Sequence, residues 1–96
     1  MIQRRRKRIY SVDAKLYLSD EQHYQSLLNE IEIILEEETA SYEAMPEGIQ
    51  DSSRGAESRD AQACLLRAIK ALGRVVDGKK KNQELMDEIH VNLRAV

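Results

Sequence analysis

Few side chains in this sequence have the types and spacing that chemistry needs. His23 and His90 are the only histidines and Cys64 the only cysteine among 96 residues. A metal centre needs several such ligands at short, defined spacings, and a nucleophile needs a base within reach. His23 stands beside Asp20 and Glu21, and Cys64 sits on an apolar stripe with Arg59 and Arg67 only loosely placed near it. No His-Glu-x-x-His, Cys-His cluster or Gly-x-Ser-x-Gly motif occurs. The ordinary reading is a surface histidine and a buried structural thiol. Glu36, Glu37 and Glu38 suggest a carboxylate-bridged metal pair, but such bundles add Glu-x-x-His motifs on facing helices, and those are missing here. A solvated acidic face is expected instead. The segment from Gly48 to Gly55 follows a helix rather than a strand, so it does not read as a phosphate cradle. The sequence predicts no catalytic residue, no cofactor and no metal site.

The polar feature with a candidate partner is Arg4-Arg5-Arg6-Lys7-Arg8, followed by Tyr10. Clustered cations displace counterions from phosphates, and a tyrosine can stack on a base. Arg4, Arg5, Arg6, Lys7, Arg8 and Tyr10 are therefore the candidate nucleic-acid contacts. The competing readings are a solubilising tail and an arm that pairs with the acidic helix of another subunit. The net charge of −2 conceals a strong segregation. Residues 1–18 carry six bases and one acid, residues 19–57 eleven acids and one base, and residues 58–96 eight bases and five acids. Such a layout presents a basic arm, an acidic helix and a mildly basic remainder.

The elements that carry these groups read as mostly helical. The chain is long enough for one domain, lacks Phe and Trp, and holds four glycines and one proline, so turns are few. Residues 1–18 are expected to be a mobile basic arm running into an extended segment. Within it, Tyr10, Val12, Ala14, Leu16 and Leu18 alternate with more polar neighbours, as in a strand. Residues 19–96 form the helical domain. Ser19 with Gln22 resembles a capping box for a helix over about 20–43. Its stripe is Tyr24, Leu27, Leu28, Ile31, Ile34, Leu35 and Tyr42. A second helix covers about 56–76, with Ala61, Cys64, Leu65, Ala68, Ile69, Leu72, Val75 and Val76 on one face and Gly78 as its C′ residue. Lys79, Lys80 and Lys81 follow. Asn82 caps a short third helix over 83–94. The expected fold is all-α, an antiparallel two-helix hairpin plus a short third helix behind an extended basic arm.

The turn between the first two helices is the most distinctive stretch. Pro46 and Gly48 stop the first helix, Ile49 can plug the open end of the hairpin, and Gln50, Ser52 and Arg54 can bond exposed helix-end groups. Together with Glu36-Glu37-Glu38 before it and the alanine-rich helix after it, Met45-Pro46-Glu47-Gly48-Ile49-Gln50-Asp51-Ser52-Ser53-Arg54-Gly55 resembles the loop of a group of small uncharacterised helical-hairpin proteins from bacterial and phage genomes. Their loop reads Met/Ile-Pro-Glu-x-Leu-Gln-x-Ser-x-Arg-Gly-Glu. The likeness spans about residues 30–77, and here Ala56 separates Gly55 from Glu57. The likeness carries no activity across; the chemistry of the stretch itself points to Pro46, Glu47, Gly48, Ile49, Gln50, Ser52, Arg54 and Gly55 as a structural hairpin turn, with an exposed recognition loop as the alternative.

The combined expectation is a non-catalytic interaction protein of a phage or other mobile element that binds, and inhibits or regulates, a host or phage protein. The alternative is a nucleic-acid-binding accessory protein that uses the basic arm. A two-helix hairpin cannot fully cover both apolar stripes, so either the third helix helps or two copies form a four-helix bundle; a homo-oligomer, a dimer or larger, is expected. One unpaired cysteine suits a reducing cytoplasm, and no apolar run approaches the ~18–20 residues of a membrane span.

Overall fold

The helical stripes do assemble into an all-α fold, but with five helices rather than three. The computed structural model describes residues 1–78 and 82–96, without the side chain of Glu21. Lys79, Lys80 and Lys81 lie outside the described residues. Helix α1 spans Gln3–Leu18, a 3-10 turn covers Glu21–His23, α2 spans Tyr24–Glu43, α3 is the single turn Glu47–Gln50, α4 spans Ser53–Gly78 and α5 spans Gln83–Arg94. Among the described residues there is no strand.

The first correction concerns the N-terminal segment, which is neither mobile arm nor strand but helix α1. Its buried positions are Ile9, Val12, Asp13 and Leu16, at the three- and four-residue steps of a helix. Val12 and Leu16 satisfy both a two-residue and a helical period. Ile9 and Asp13 break the tie, and Ala14 and Leu18, inward on the strand reading, are exposed. Ser19 ends α1 instead of starting α2: its amide donates to the Lys15 carbonyl. Asp20 takes the capping role, its Oδ1 accepting from the Gln22 amide at 3.2 Å and lying 2.8 Å from His23 Nδ1. The Asn82 cap forms as its position suggests, with Oδ1 accepting from Leu85 N at 3.2 Å. Helix α4 starts three residues earlier than expected, and α3 occupies the turn before it.

Each long helix packs on two others: α1 on α2 and α5, and α4 on α2 and α5. Cross-links fix their directions. Thr39 meets Gln62 and Tyr42 meets Arg59, so α2 and α4 run antiparallel. Leu16 lies by Tyr24 and Arg5 by Glu38, so α1 opposes α2. Asp13 reaches His90 while Arg6 reaches Val96, so α5 opposes α1. The result is an up-down-up-down four-helix ring closed within one chain. It measures 44 × 21 × 18 Å, and at ~1.5 Å per residue the 26 residues of α4 account for most of its length.

Down its axis the core holds Ile9, Leu16, Tyr24, Ile31, Ile34, Leu65, Leu72, Ile89 and Leu93. Helix α4 contributes small residues, Gly55, Ser58, Ala61, Ala68 and Ala71, which let neighbouring backbones approach. Helices α1 and α5 cover the apolar surface that the α2–α4 hairpin alone would leave open.

Candidate interaction surface

The basic run occupies the first turns of α1, where cations oppose the positive end of the helix dipole. The glutamates 36–38 sit toward the negative end of α2, equally against the dipole. Antiparallel packing brings the two misplaced groups together. Arg5 Nε donates to Glu38 Oε1 at 3.1 Å, and Arg8 Nη1 donates to Glu37 Oε1 at 2.6 Å. The second pair holds the Glu37 carboxyl below the usual glutamate range through the hydrogen bond from Arg8, and the same bond raises the Arg8 guanidinium. Arg6 Nε donates to the backbone oxygen of Val96 at 2.7 Å. Of the five consecutive cations proposed as nucleic-acid contacts, three are thus engaged inside the fold. Arg4 and Lys7 stay exposed, and the Tyr10 ring lies 4.7 Å beneath the Arg94 guanidinium.

The acidic face is correspondingly less uniform than expected. Glu32, Glu36 and Glu43 are exposed, but Glu38 is 1% exposed. Its second oxygen accepts from Ser58 Oγ on α4, so this one carboxylate ties α1, α2 and α4 together. Asp13 is its counterpart at the other seam and is 2% exposed. Its Oδ2 lies 2.8 Å from His90 Nδ1 and accepts from Arg94 Nε at 2.8 Å, both on α5. Glu38 is therefore buried rather than part of the solvated acidic face expected for it, and Asp13 was not singled out in the sequence. The signal was present: the α2 stripe breaks off between Leu35 and Tyr42, and Glu38 fills the missing helical step. Asp13 likewise falls between Ile9 and Leu16. Among the described residues no buried side-chain nitrogen or oxygen is left without a partner.

The turn residues divide by role. Pro46 accepts from the amides of Ile49 and Gln50 and so starts α3. Gln50 Nε2 donates to the Tyr42 carbonyl at 3.0 Å, closing the end of α2. Ser52 Oγ donates to the carbonyl of Ile49. Glu47 and Gly48 are exposed. Ile49 does not plug the hairpin; it is 37% exposed on the outside of α3. Arg54 lines a cleft of about 140 Å³ with Arg5, Glu38 and Glu57. The carbonyl bond expected of Arg54 comes instead from Arg59, whose Nη1 donates to Gln50 O at 2.7 Å and to Tyr42 Oη at 2.9 Å. Gly55 is the strictest position. A Cβ there would lie 1.9 Å from the Gln50 carbonyl oxygen, so only glycine lets α3 fold back on α4.

Cys64 is buried, with Arg67 Nη2 3.3 Å from its sulfur and Arg67 Nε donating to Asn92 Oδ1 at 2.9 Å. His23 is a surface residue paired with Asp20. Among the described residues no group of three or more His, Cys, Asp and Glu side chains is placed to hold a metal ion. No helix in the same residues is long and apolar enough to cross a membrane. What remains on the outside is charge: acids alone on α2 (Glu32, Glu36 and Glu43), bases alone on α1 (Arg4, Lys7 and Lys15), and both signs on α4, where Arg59, Arg67, Lys70 and Arg74 share the surface with Glu57, Asp60 and Asp77. Comparison with protein-family models, with curated proteins and with solved structures finds no match.

Proposed function

We propose that this protein is a non-catalytic interaction module that binds and regulates another protein through the outer faces of its bundle. The supporting observation is the division of labour among its charges. The buried carboxylates Glu38 and Asp13 are satisfied inside the fold, while the exposed charges of α2 are all acidic and those of α1 all basic, with α4 carrying both signs. Sorted surface charge steers and selects protein partners. The likeness of the α2–α4 turn to small proteins of bacterial and phage genomes supports a phage or mobile-element origin, with a host or phage protein as target and a reducing cytoplasm as the setting.

The experiment is affinity capture from a bacterial lysate, with and without nuclease treatment. A protein retained in stoichiometric amount after nuclease, and bound again when both are purified, is the expected result. Loss of every specific species on nuclease treatment would overturn the protein-partner reading.

One observation favours a nucleic-acid reading as the second choice. Arg4, Lys7 and Lys15 lie exposed on α1, whose only acid, Asp13, is buried and ion-paired. On that reading the contacts are these three residues rather than Arg5, Arg6, Arg8 and Tyr10. Salt-sensitive binding to DNA or RNA should then vanish in Arg4→Ala/Lys7→Ala/Lys15→Ala, and no mobility shift at low salt would exclude it.

A further inference from the structure

The α2–α4 side of the bundle carries both signs of charge in an order that fits a copy of itself. Its seam is marked by Thr39 Oγ1 and Gln62 Oε1, 3.2 Å apart. On α2, the helical steps outward from Thr39 place Glu32, Glu36 and Glu43 along one exposed rail. On α4, three- and four-residue steps from Gln62 place Arg59, Leu66, Gly73 and, at the far end, Asp77 along a parallel rail, with Ile69 and Lys70 flanking Leu66 by a turn. Leu66 is 47% exposed at the middle of this rail. Gly73 leaves open space where a side chain would stand. An open groove of about 470 Å³ starts beside Lys70 and Gly73 and opens toward α5, past Arg67 and Arg74 to Glu88.

The levels also match. Because Thr39 faces Gln62 and the helices are antiparallel, seven residues back on α2 is level with seven residues forward on α4. Glu32 therefore shares a level with Ile69 and its neighbour Lys70. Glu43 shares a level with Arg59, as the Tyr42–Arg59 bond requires. A two-fold axis running along the seam would lay α2 of one copy on α4 of the other without changing any level. Glu32 would meet Lys70 of the partner subunit, Glu43 would meet Arg59 of the partner subunit, and Leu66 would lie near the axis. We propose that this face is the dimer interface of the protein and that its occupant is a second copy of the chain.

On this one face the charge order favours a second copy, leaving the other outer faces of the bundle to a foreign partner. Acidic and basic rails side by side on antiparallel helices are self-complementary about that axis, the condition for an isologous contact. Size sets the strength. Helix α2 is about 30 Å long and two helices are about 20 Å wide, so roughly 600 Å² per copy is covered. That is the low end for a specific complex, so the dimer is expected to form at micromolar concentrations and to weaken with salt.

Sedimentation equilibrium on the purified chain, from about 5 to 500 µM, tests this without reference to any foreign target; the lysate experiment tests the target separately. The wild type is expected to dimerise. Glu32→Lys alone and Lys70→Glu alone should each weaken it at least ~10-fold with helicity unchanged, since both side chains are exposed. Glu32→Lys/Lys70→Glu together should restore it, because the swapped pair forms twice about the axis. A wild type monomeric throughout, single reversals without effect, or a double reversal that fails to restore association would each overturn the proposal.

Discussion

Arg5 Nε lies 3.1 Å from Glu38 Oε1, and the carboxylate it meets is 1% exposed. This contact joins the start of α1 to the end of α2, where each helix carries charges of the wrong sign for its own dipole. A buried ion pair broken on one side leaves an uncompensated charge. Arg5→Ala is expected to destabilise the fold by about 3 kcal/mol in urea titration. Arg5→Leu/Glu38→Leu, which removes both charges, is expected to lose less than Arg5→Ala alone. The double-mutant comparison separates a paired buried charge from two independent surface residues, which would simply add.

The second buried carboxylate should respond asymmetrically. His90 and Arg94 are 41% and 45% exposed as side chains, whereas Asp13 is 2% exposed. Removing Asp13 frees two groups that water can solvate; removing both partners strands a buried anion. His90→Ala/Arg94→Ala is therefore expected to cost about 3 kcal/mol, more than Asp13→Asn does, as read from urea midpoints.

Gly55 gives the sharpest steric test. Its missing Cβ would sit 1.9 Å from backbone rather than from a movable side chain, so the turn itself has to shift. Gly55→Ala is expected to destabilise by at least ~2 kcal/mol despite the better helix propensity of alanine. The Arg59–Gln50 and Gln50–Tyr42 bonds should loosen with it, visible as faster amide exchange over residues 47–52. Gly73→Ala, with nothing within 4 Å of the added methyl, is expected to stabilise by up to ~1 kcal/mol instead.

Glu37 sets a pH dependence of known sign. Its folded value is lowered by the Arg8 hydrogen bond, so its contribution is present at neutral pH and is lost as pH falls through the folded carboxylate value. The side chains are 34% and 38% exposed, which screens the pair to about 0.5 kcal/mol or less. The stability difference between wild type and Glu37→Gln should appear at pH 7 and disappear as pH falls below the ordinary glutamate range.

The helical class was legible because the stripes of α2, α4 and α5 are long, apolar and regularly spaced. Asn82 was legible as a cap for the same reason: its chemistry is local. Helix α1 was not, because its first turn breaks the dipole rule and its core stripe includes an aspartate. Both anomalies are resolved only by partners far away in the chain, Glu37 and Glu38 for the arginines, His90 and Arg94 for Asp13. The candidate surface was half legible. Charge segregation could be counted residue by residue, but which cations face outward depends on which ones the fold consumes. The basic run therefore looked like five equivalent side chains when it holds two exposed residues and three structural ones.

Residues 3–18 form the fourth wall of the bundle rather than a basic arm. Amide hydrogen exchange of the intact chain, followed residue by residue, tests it most directly. Protection across Ile9 to Leu16 comparable to that of α4, and reduced by Arg5→Ala, is the expected result. Exchange of these amides at the rate of an unstructured peptide, while α2 and α4 stay protected, would contradict it.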